Sequence, residues 1–115
     1  MSIKESLVSI TLKSAADFST TGQFRFGTVN ASGQVALTGA AARVDGVVLG
    51  NPAAADRGVA VGIYGVCQLE LGGTITAGGG VQAGASGVGV TGTTNSTAIA
   101  LESGVSGDII SVLLK

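Results

Sequence analysis

The sequence predicts a small all-β protein, a glycine-rich β-barrel or β-sandwich of short antiparallel strands with an extended N-terminal segment. Apolar and polar residues alternate with period two in several segments, which is typical of half-buried strands. Glycine supplies 20 of the 115 residues, so a helix of several turns has few places to form. Glycine-containing turns separate the segments at intervals of roughly 8–12 residues, the spacing expected of a small barrel or sandwich.

The first strands follow from this alternation. Residues 7–13 form a strand, because Val, Ile and Leu alternate there with Ser, Thr and Lys without interruption. Phe24 and Phe26 share one face of a second strand. Further strands are predicted over residues 34–37, after a Ser-Gly turn, and over residues 43–49.

The longest strand is predicted over Val59–Leu71, where the odd-numbered residues are expected to share one face. This run is long for one flat strand, so we expect a bend or bulge near Gly62 or Gly65. The remaining strands are shorter and lie at residues 81–83, 87–91, 97–102 and 109–114.

The length of the chain fits one domain. We divide it into an N-terminal strand or arm at residues 1–14 and a single β domain at residues 15–115. Cys67 is the only cysteine, so an intrachain disulfide is impossible, and its place among apolar residues indicates a buried small hydrophobe. The first residues do not resemble a signal peptide, and no apolar run approaches the length of a membrane helix. We therefore expect a soluble protein made in a reducing cytoplasm.

The charge pattern argues against nucleic-acid binding and for protein partners. Net charge is −1 and the six basic residues are scattered, so no stripe could neutralise phosphates. Only 11% of residues are charged, against about 25% in an average domain. No charged residue occurs from Leu71 to Leu101. This stretch is either ordinary Gly/Ala/Thr loop chemistry or the lining of a subunit interface.

No pattern of catalytic or metal-binding residues is present. The chain has no histidine and one cysteine, and its seven acidic residues are far apart in sequence. The Gly87–Gly92 segment matches G-x-G-x-x-G, but a Thr- and Ser-rich loop follows it where a dinucleotide site needs a helix. We predict no catalytic, cofactor-binding or metal-binding residues, and hence a non-enzymatic protein without a cofactor.

An ordered series of segments carries a resemblance to a known family. The series contains Ala-Ala-Asp-Phe-Ser from residue 15, Gly-Val-Val-Leu-Gly-Asn-Pro-Ala-Ala from residue 46, Gly-Gly-Thr-Ile-Thr-Ala-Gly from residue 72, and the closing strand at residues 107–114. In this order, over residues 15–114, the chain resembles the capsid decoration (cement) proteins of tailed bacteriophages. It departs from the family pattern at Asp56-Arg57 and at Gly79-Gly80, which are loop positions.

The resemblance implies a structural virion protein that is made in the host bacterial cytoplasm. It would bind the outer surface of the capsid and stabilise the shell by bridging coat subunits. The implied partners are the major capsid protein and further copies of the chain, as a homotrimer, with no nucleic acid and no membrane. The alternatives are another phage structural component, such as a head fibre or tail protein, and an unrelated binding module or enzyme. The candidate partner-contact residues are Lys4, Val8, Ile10, Leu12, Val88 and Val90.

Overall fold

The computed structural model describes residues 7–96 and 98–115, and in these ranges it confirms the all-β prediction. Within the described ranges, nine strands form one sheet, and a single 3-10 turn at Ala85–Gly87 is the helical element. The strands are β1 (Leu7–Ser14), β2 (Phe26–Val29), β3 (Gln34–Leu37), β4 (Gly46–Val48), β5 (Gly58–Glu70), β6 (Gly80–Ala83), β7 (Gly89–Thr91), β8 (Ala98–Ala100) and β9 (Ile109–Leu114).

The first half of the chain closes into a ring of five strands, which we call the first ring. Its order is β1-β3-β2-β4-β5, and β5 also pairs with β1. The pairings are antiparallel except for β1 with β3, where Lys13 and Ser14 lie beside Gln34 and Val35 in parallel. Closure leaves few open strand edges, which in a small glycine-rich domain limits unwanted pairing. The N-terminal strand, over Leu7–Ser14, is therefore part of the first ring.

A second ring continues from the other half of β5. Residues Gly65–Glu70 pair with β9, and the sheet then runs through β8 and β6 to β7. A parallel bridge between Leu71 and Gly89 brings β7 back beside the end of β5. The two rings therefore share β5, which explains why this strand is much longer than the others.

A bulge in the middle of β5 lets one strand serve both rings. Val8 pairs with Tyr64 and Ser9 pairs with Gly62, so Ile63 has no partner in β1. The predicted bulge is thus confirmed. One extra residue reverses which face the following side chains take. The prediction that all odd-numbered residues of Val59–Leu71 share one face is therefore wrong.

The two rings enclose separate hydrophobic clusters, the first core and the second core. The first core contains Phe18, Val35, Val48, Val59 and Val61. The second core is larger and includes Cys67, Leu69 and Leu71 from β5, together with Phe26, Val47, Ile75, Val81, Ala83, Ala98, Ala100, Ile110, Val112 and Leu114. Before the bulge β5 fills the first core, and after it β5 fills the second.

Four predicted strands differ from the structure in extent by more than one residue. Phe24 is not in β2. Its φ is +63°, because its backbone bridges two strands: its N–H donates to the Val48 carbonyl at 2.7 Å, and its carbonyl accepts the Glu70 N–H at 2.7 Å. The strand predicted over residues 43–49 shortens to β4, because beside the end of β2 the Asp45 carboxylate, and not a backbone carbonyl, accepts the Val29 N–H, at 2.8 Å.

The strand predicted over residues 87–91 begins only at Gly89, since the 3-10 turn precedes it with Ser86 at φ +57°. The strand predicted over residues 97–102 is β8, Ala98–Ala100. Thr97 lies outside the described residues.

Candidate docking surface

The N-terminal contact candidates lie at increasing depth along β1. Lys4 is outside the described residues. Val8 and Ile10 are 53% and 43% exposed, whereas Leu12 is half-buried and packs against the first core. These three side chains lie on one face of the strand because alternate residues point the same way. The face that fills the ring at Leu12 therefore becomes solvent-exposed toward Leu7.

A group of exposed large apolar side chains lies along this end of β1 and β5, and we call it the β1–β5 patch. Val8, Ile10 and Tyr64 share one face of the strand pair, Leu7 lies on the opposite face, and Ile63 is at the bulge. Tyr64 is 61% exposed and lies directly across the strand pair from Val8. Tyrosine is enriched at protein interfaces, since it offers a large rigid contact area with a polar end. The patch has the composition expected of a surface that a protein partner covers.

An unpaired strand edge borders this patch. Residues Leu7–Lys13 pair with β5 on one side, but on the other side β1 pairs with β3 only at Lys13 and Ser14. Within the part of the chain that the structure describes, the outer edge of Leu7–Leu12 has no strand beside it. Half of the backbone N–H and C=O groups of an edge strand point outward and can accept another strand.

The patch and the edge are electrically neutral. Neither Leu7–Leu12 nor Gly58–Gly65 contains a charged residue. The nearest charge along β1 is Lys13, at the end where the strand enters the ring. Edge strands of free proteins are commonly protected by charged side chains or proline. Such protection is missing here over Leu7–Leu12, which again favours a surface that becomes covered.

Val88 and Val90, the other contact candidates, lie in the second ring and are half-buried. Val88 packs against Gly72, where a Cβ atom would overlap its Cγ2 atom. Val90 packs against Gly84, where an added Cβ would lie 2.9 Å from its Cγ1 atom. The glycines thus provide room for the valines, which cover the backbone of this ring. Over residues 72–96 and 98–100, no large apolar side chain is exposed.

A small cleft lies where the two rings meet. Its volume is about 180 Å³, and Phe18, Phe24, Glu70 and Ile109 are among the residues that line it. Glu70 accepts a hydrogen bond from Arg25 at 3.1 Å in a largely buried ion pair. Ligand pockets usually measure roughly 300–1,000 Å³, so the cleft is too small for a cofactor. The ion pair instead ties the turn before β2 to the end of β5.

The described residues contain no group of three or more potential metal-ligating side chains from His, Cys, Asp and Glu. Cys67 is buried in the second core, and this burial raises the pKa of its thiol to about 12. The thiolate is the nucleophilic form, so Cys67 is inert near neutral pH. In the same described ranges, no helix is long and apolar enough to cross a membrane.

Comparison with solved structures identifies a similar fold. The crystal structure of the N base of head fiber gp8.5 from bacteriophage phi29 superimposes with a TM-score of 0.74, covering 96% of this chain and 95% of that one. The chain has the fold of a phage head-fibre base. Sequence identity is 16%, so the similarity concerns the fold. No protein-family model matches the sequence, and no curated protein matches it.

Sequence reasoning identified part of the β1–β5 patch but missed Leu7, Ile63 and Tyr64. The period-two pattern placed Tyr64 on the polar face of β5 and Ile63 on the buried face. A large aromatic residue on a face expected to meet solvent was a usable signal. The exposure of Ile63 had no such signal, since it results from the position of the bulge.

Proposed function

We propose that the chain is a non-enzymatic structural protein of a phage virion that binds the outer surface of the head. There it would contact the major capsid protein and stabilise the shell by bridging neighbouring coat subunits. The observation that carries the proposal is the fold, which is shared over nearly the full length of both chains with a protein described as a phage head fibre base. The resemblance of the sequence to capsid decoration proteins supports the same class of function.

The surface of the domain supports attachment by protein contacts. The β1–β5 patch and the stretch Leu71–Leu101 of the second ring both lack charged residues, which suits contacts with coat subunits and with further copies of the chain. Each contact could be weak, because several linked contacts on one shell gain from effective concentration. Residues 1–14 are also proposed to contact the shell, with Lys4, Val8 and Ile10 among the contacts. Since Leu7–Ser14 is a strand of the first ring, residues 7–14 would do so as part of the folded domain and not as a free arm.

Self-association is the second part of the proposal. We propose a homotrimer in which the uncharged stretch Leu71–Leu101 contributes to the contacts, with Val88 and Val90 near them. The stretch exposes small and hydroxyl-bearing residues such as Thr74, Thr76 and Ala85. Close backbone approach between copies is possible over such a surface because few long side chains must be displaced.

A second candidate function is the base of a head fibre, which the similarity to a head fibre N base favours. Both functions require attachment to the outside of the head. They differ in effect: a decoration protein strengthens the shell, whereas a fibre base presents a further structure to the surroundings.

The two functions can be tested on purified, undecorated shells of the source phage. Added protein is expected to co-sediment with the shells, to saturate at a fixed number of sites, and to raise the melting temperature of the shell. Binding without a change in the melting temperature would favour the fibre base. A protein known to bind the coat serves as the positive control. If the added protein does not co-sediment at concentrations at which this control saturates the shells, both functions are contradicted.

A further inference from the structure

We propose that the free edge of β1 is a self-association site, on which β1 of a second copy adds as an antiparallel strand about a two-fold axis at Ile10. Each copy would then contribute its β1–β5 patch to the same contact. This inference does not rest on the proposed virion function, because it concerns two copies of the chain in solution.

The geometry of the edge provides the first argument. Over Leu7–Leu12 the strand is extended and pairs with β5 on its inner side, while its outer side has no strand among the described residues. Six residues of strand span about 20 Å, which is enough for several backbone hydrogen bonds. Strand addition to an exposed edge is a common mode of protein recognition, and the backbone groups supply the bonds.

The sequence of β1 provides the second argument, because it is complementary to itself. With Ile10 opposite Ile10 of the second copy, Val8 lies opposite Leu12, and Ser9 lies opposite Thr11. Apolar side chains then meet apolar ones on one face, and hydroxyl groups meet on the other. Directly opposed pairs of this kind stabilise a sheet.

Charge and symmetry favour a second copy over another occupant. Leu7–Leu12 contains no charge, and in this register Lys13 lies opposite Leu7, so no like charges are opposed. The net charge of −1 gives little repulsion between copies. A two-fold contact also covers both open edges at once, whereas a head-to-tail contact leaves one edge open and can grow into a filament.

The contact is compatible with the trimer proposed above. The sheet runs from β1 at one end to β7 at the other. The proposed trimer contacts lie toward the β7 end, so pairing at β1 uses a different surface. Contacts of both kinds would connect trimers to each other. Because the edge is only six residues long, this connection is weak in dilute solution and stronger where many copies lie close together on one surface.

Cysteine cross-linking tests the register directly. In an antiparallel pair, opposed Cα atoms lie about 4.5–5.5 Å apart, which is within the range for a disulfide. The I10C variant should therefore form a disulfide-linked dimer under mild oxidation. The V8C variant is the matched control, since Val8 lies on the same face and is at least as exposed. Its two copies would be separated by four residues along the pair, about 14 Å, so we expect dimer formation to be at least about tenfold slower.

A second test uses the polar face of β1, where substitutions should not disturb folding because the side chains are exposed. Ser9 and Thr11 are exposed, and S9C mixed with T11C should give the mixed disulfide more readily than either variant gives its own dimer. The unsubstituted protein is the baseline, because buried Cys67 should not react. The proposal is overturned if folded I10C forms no disulfide-linked dimer, if V8C cross-links as fast as I10C, or if the S9C and T11C mixture shows no preference for the mixed disulfide. These outcomes are independent of whether the protein binds shells.

Discussion

Deletion of Ile63 is the most direct test of how β5 serves two cores. Ile63 is the extra residue of the bulge, and it is 37% exposed. Without it, the residues after the bulge would take the opposite face relative to β1. Cys67, Leu69 and Leu71 would then leave the second core, or Val59 and Val61 would leave the first.

The loss of folding free energy caused by deleting Ile63 can be estimated from the burial of the displaced side chains. Leu69 and Leu71 are 0% and 1% exposed and Cys67 is 5% exposed. Full burial of a large aliphatic side chain contributes about 1.5–3 kcal/mol, so moving the two leucines to solvent costs about 3–6 kcal/mol, and exposing Cys67 adds to this loss. A domain of this size has a free energy of unfolding of roughly 5–15 kcal/mol. We therefore expect the deletion variant to be unfolded or to melt far below the parent protein.

The matched control is Ile63→Ala, which keeps the bulge and removes a partly exposed side chain, and which should cost about 1 kcal/mol or less. The assay is thermal unfolding by circular dichroism, combined with labelling of Cys67 by a thiol reagent at pH 8. Cys67 should be protected in the parent protein and in Ile63→Ala, because its thiol is buried with a raised pKa, and it should react rapidly in the deletion variant. A deletion variant that melts cooperatively within a few degrees of the parent, with Cys67 still protected, would refute the reasoning.

Two further predictions concern stability. Gly89→Ala should lower the free energy of unfolding by about 1–3 kcal/mol, since its Cβ would lie 2.6 Å from a leucine Cδ atom of β5, whereas Gly39→Ala, which meets no atom within 4 Å, should be neutral in the same urea titration. Equal losses in both variants would contradict this packing. Burial tends to raise the pKa of Asp45, but hydrogen bonds from Arg43 and from the Val29 N–H outweigh it and lower that pKa below its ordinary value. Asp45→Asn should therefore reduce the free energy of unfolding at pH 7 by up to about 1 kcal/mol. A lowered folded-state pKa stabilises the protein only while the carboxylate is ionised. The difference should therefore shrink as the pH falls below about 4 and vanish below the lowered pKa of the folded state, and a difference at pH 3 as large as that at pH 7 would contradict the assignment.

Local patterns predicted the strands well where one face is buried throughout. Residues 34–37 and 109–114 were predicted with the bounds that the structure has, and Val59–Leu71 differs from β5 by one residue at each end. The strand predictions were less accurate where a side chain or a backbone turn replaces the hydrogen bonds between neighbouring strands. Asp45 ends one strand by binding the Val29 N–H, and the φ of +63° at Phe24 is uncommon for a bulky residue.

The division into two rings could not be predicted from the sequence, because it depends on pairing between distant segments. The alternation through Val59–Leu71 continues unbroken across the bulge, so the change of face leaves no mark in the pattern. The same limit applies to the candidate docking surface. Val8 and Ile10 were identified from the alternation in β1, but their neighbour Tyr64 became visible only when the register of β1 and β5 was known.

The sharing of β5 has a consequence for how the chain folds. The first ring closes only when β1 meets β5, across about fifty residues of intervening chain, and the second ring needs β9 at the far end. Non-local pairings of this kind slow folding, and neither ring has a complete set of strands without β5. During synthesis, residues Leu7–Leu12 of β1 therefore lack their pairing partner until β5 has been made. We expect a single cooperative transition, in which both cores form together and no half of the molecule persists alone.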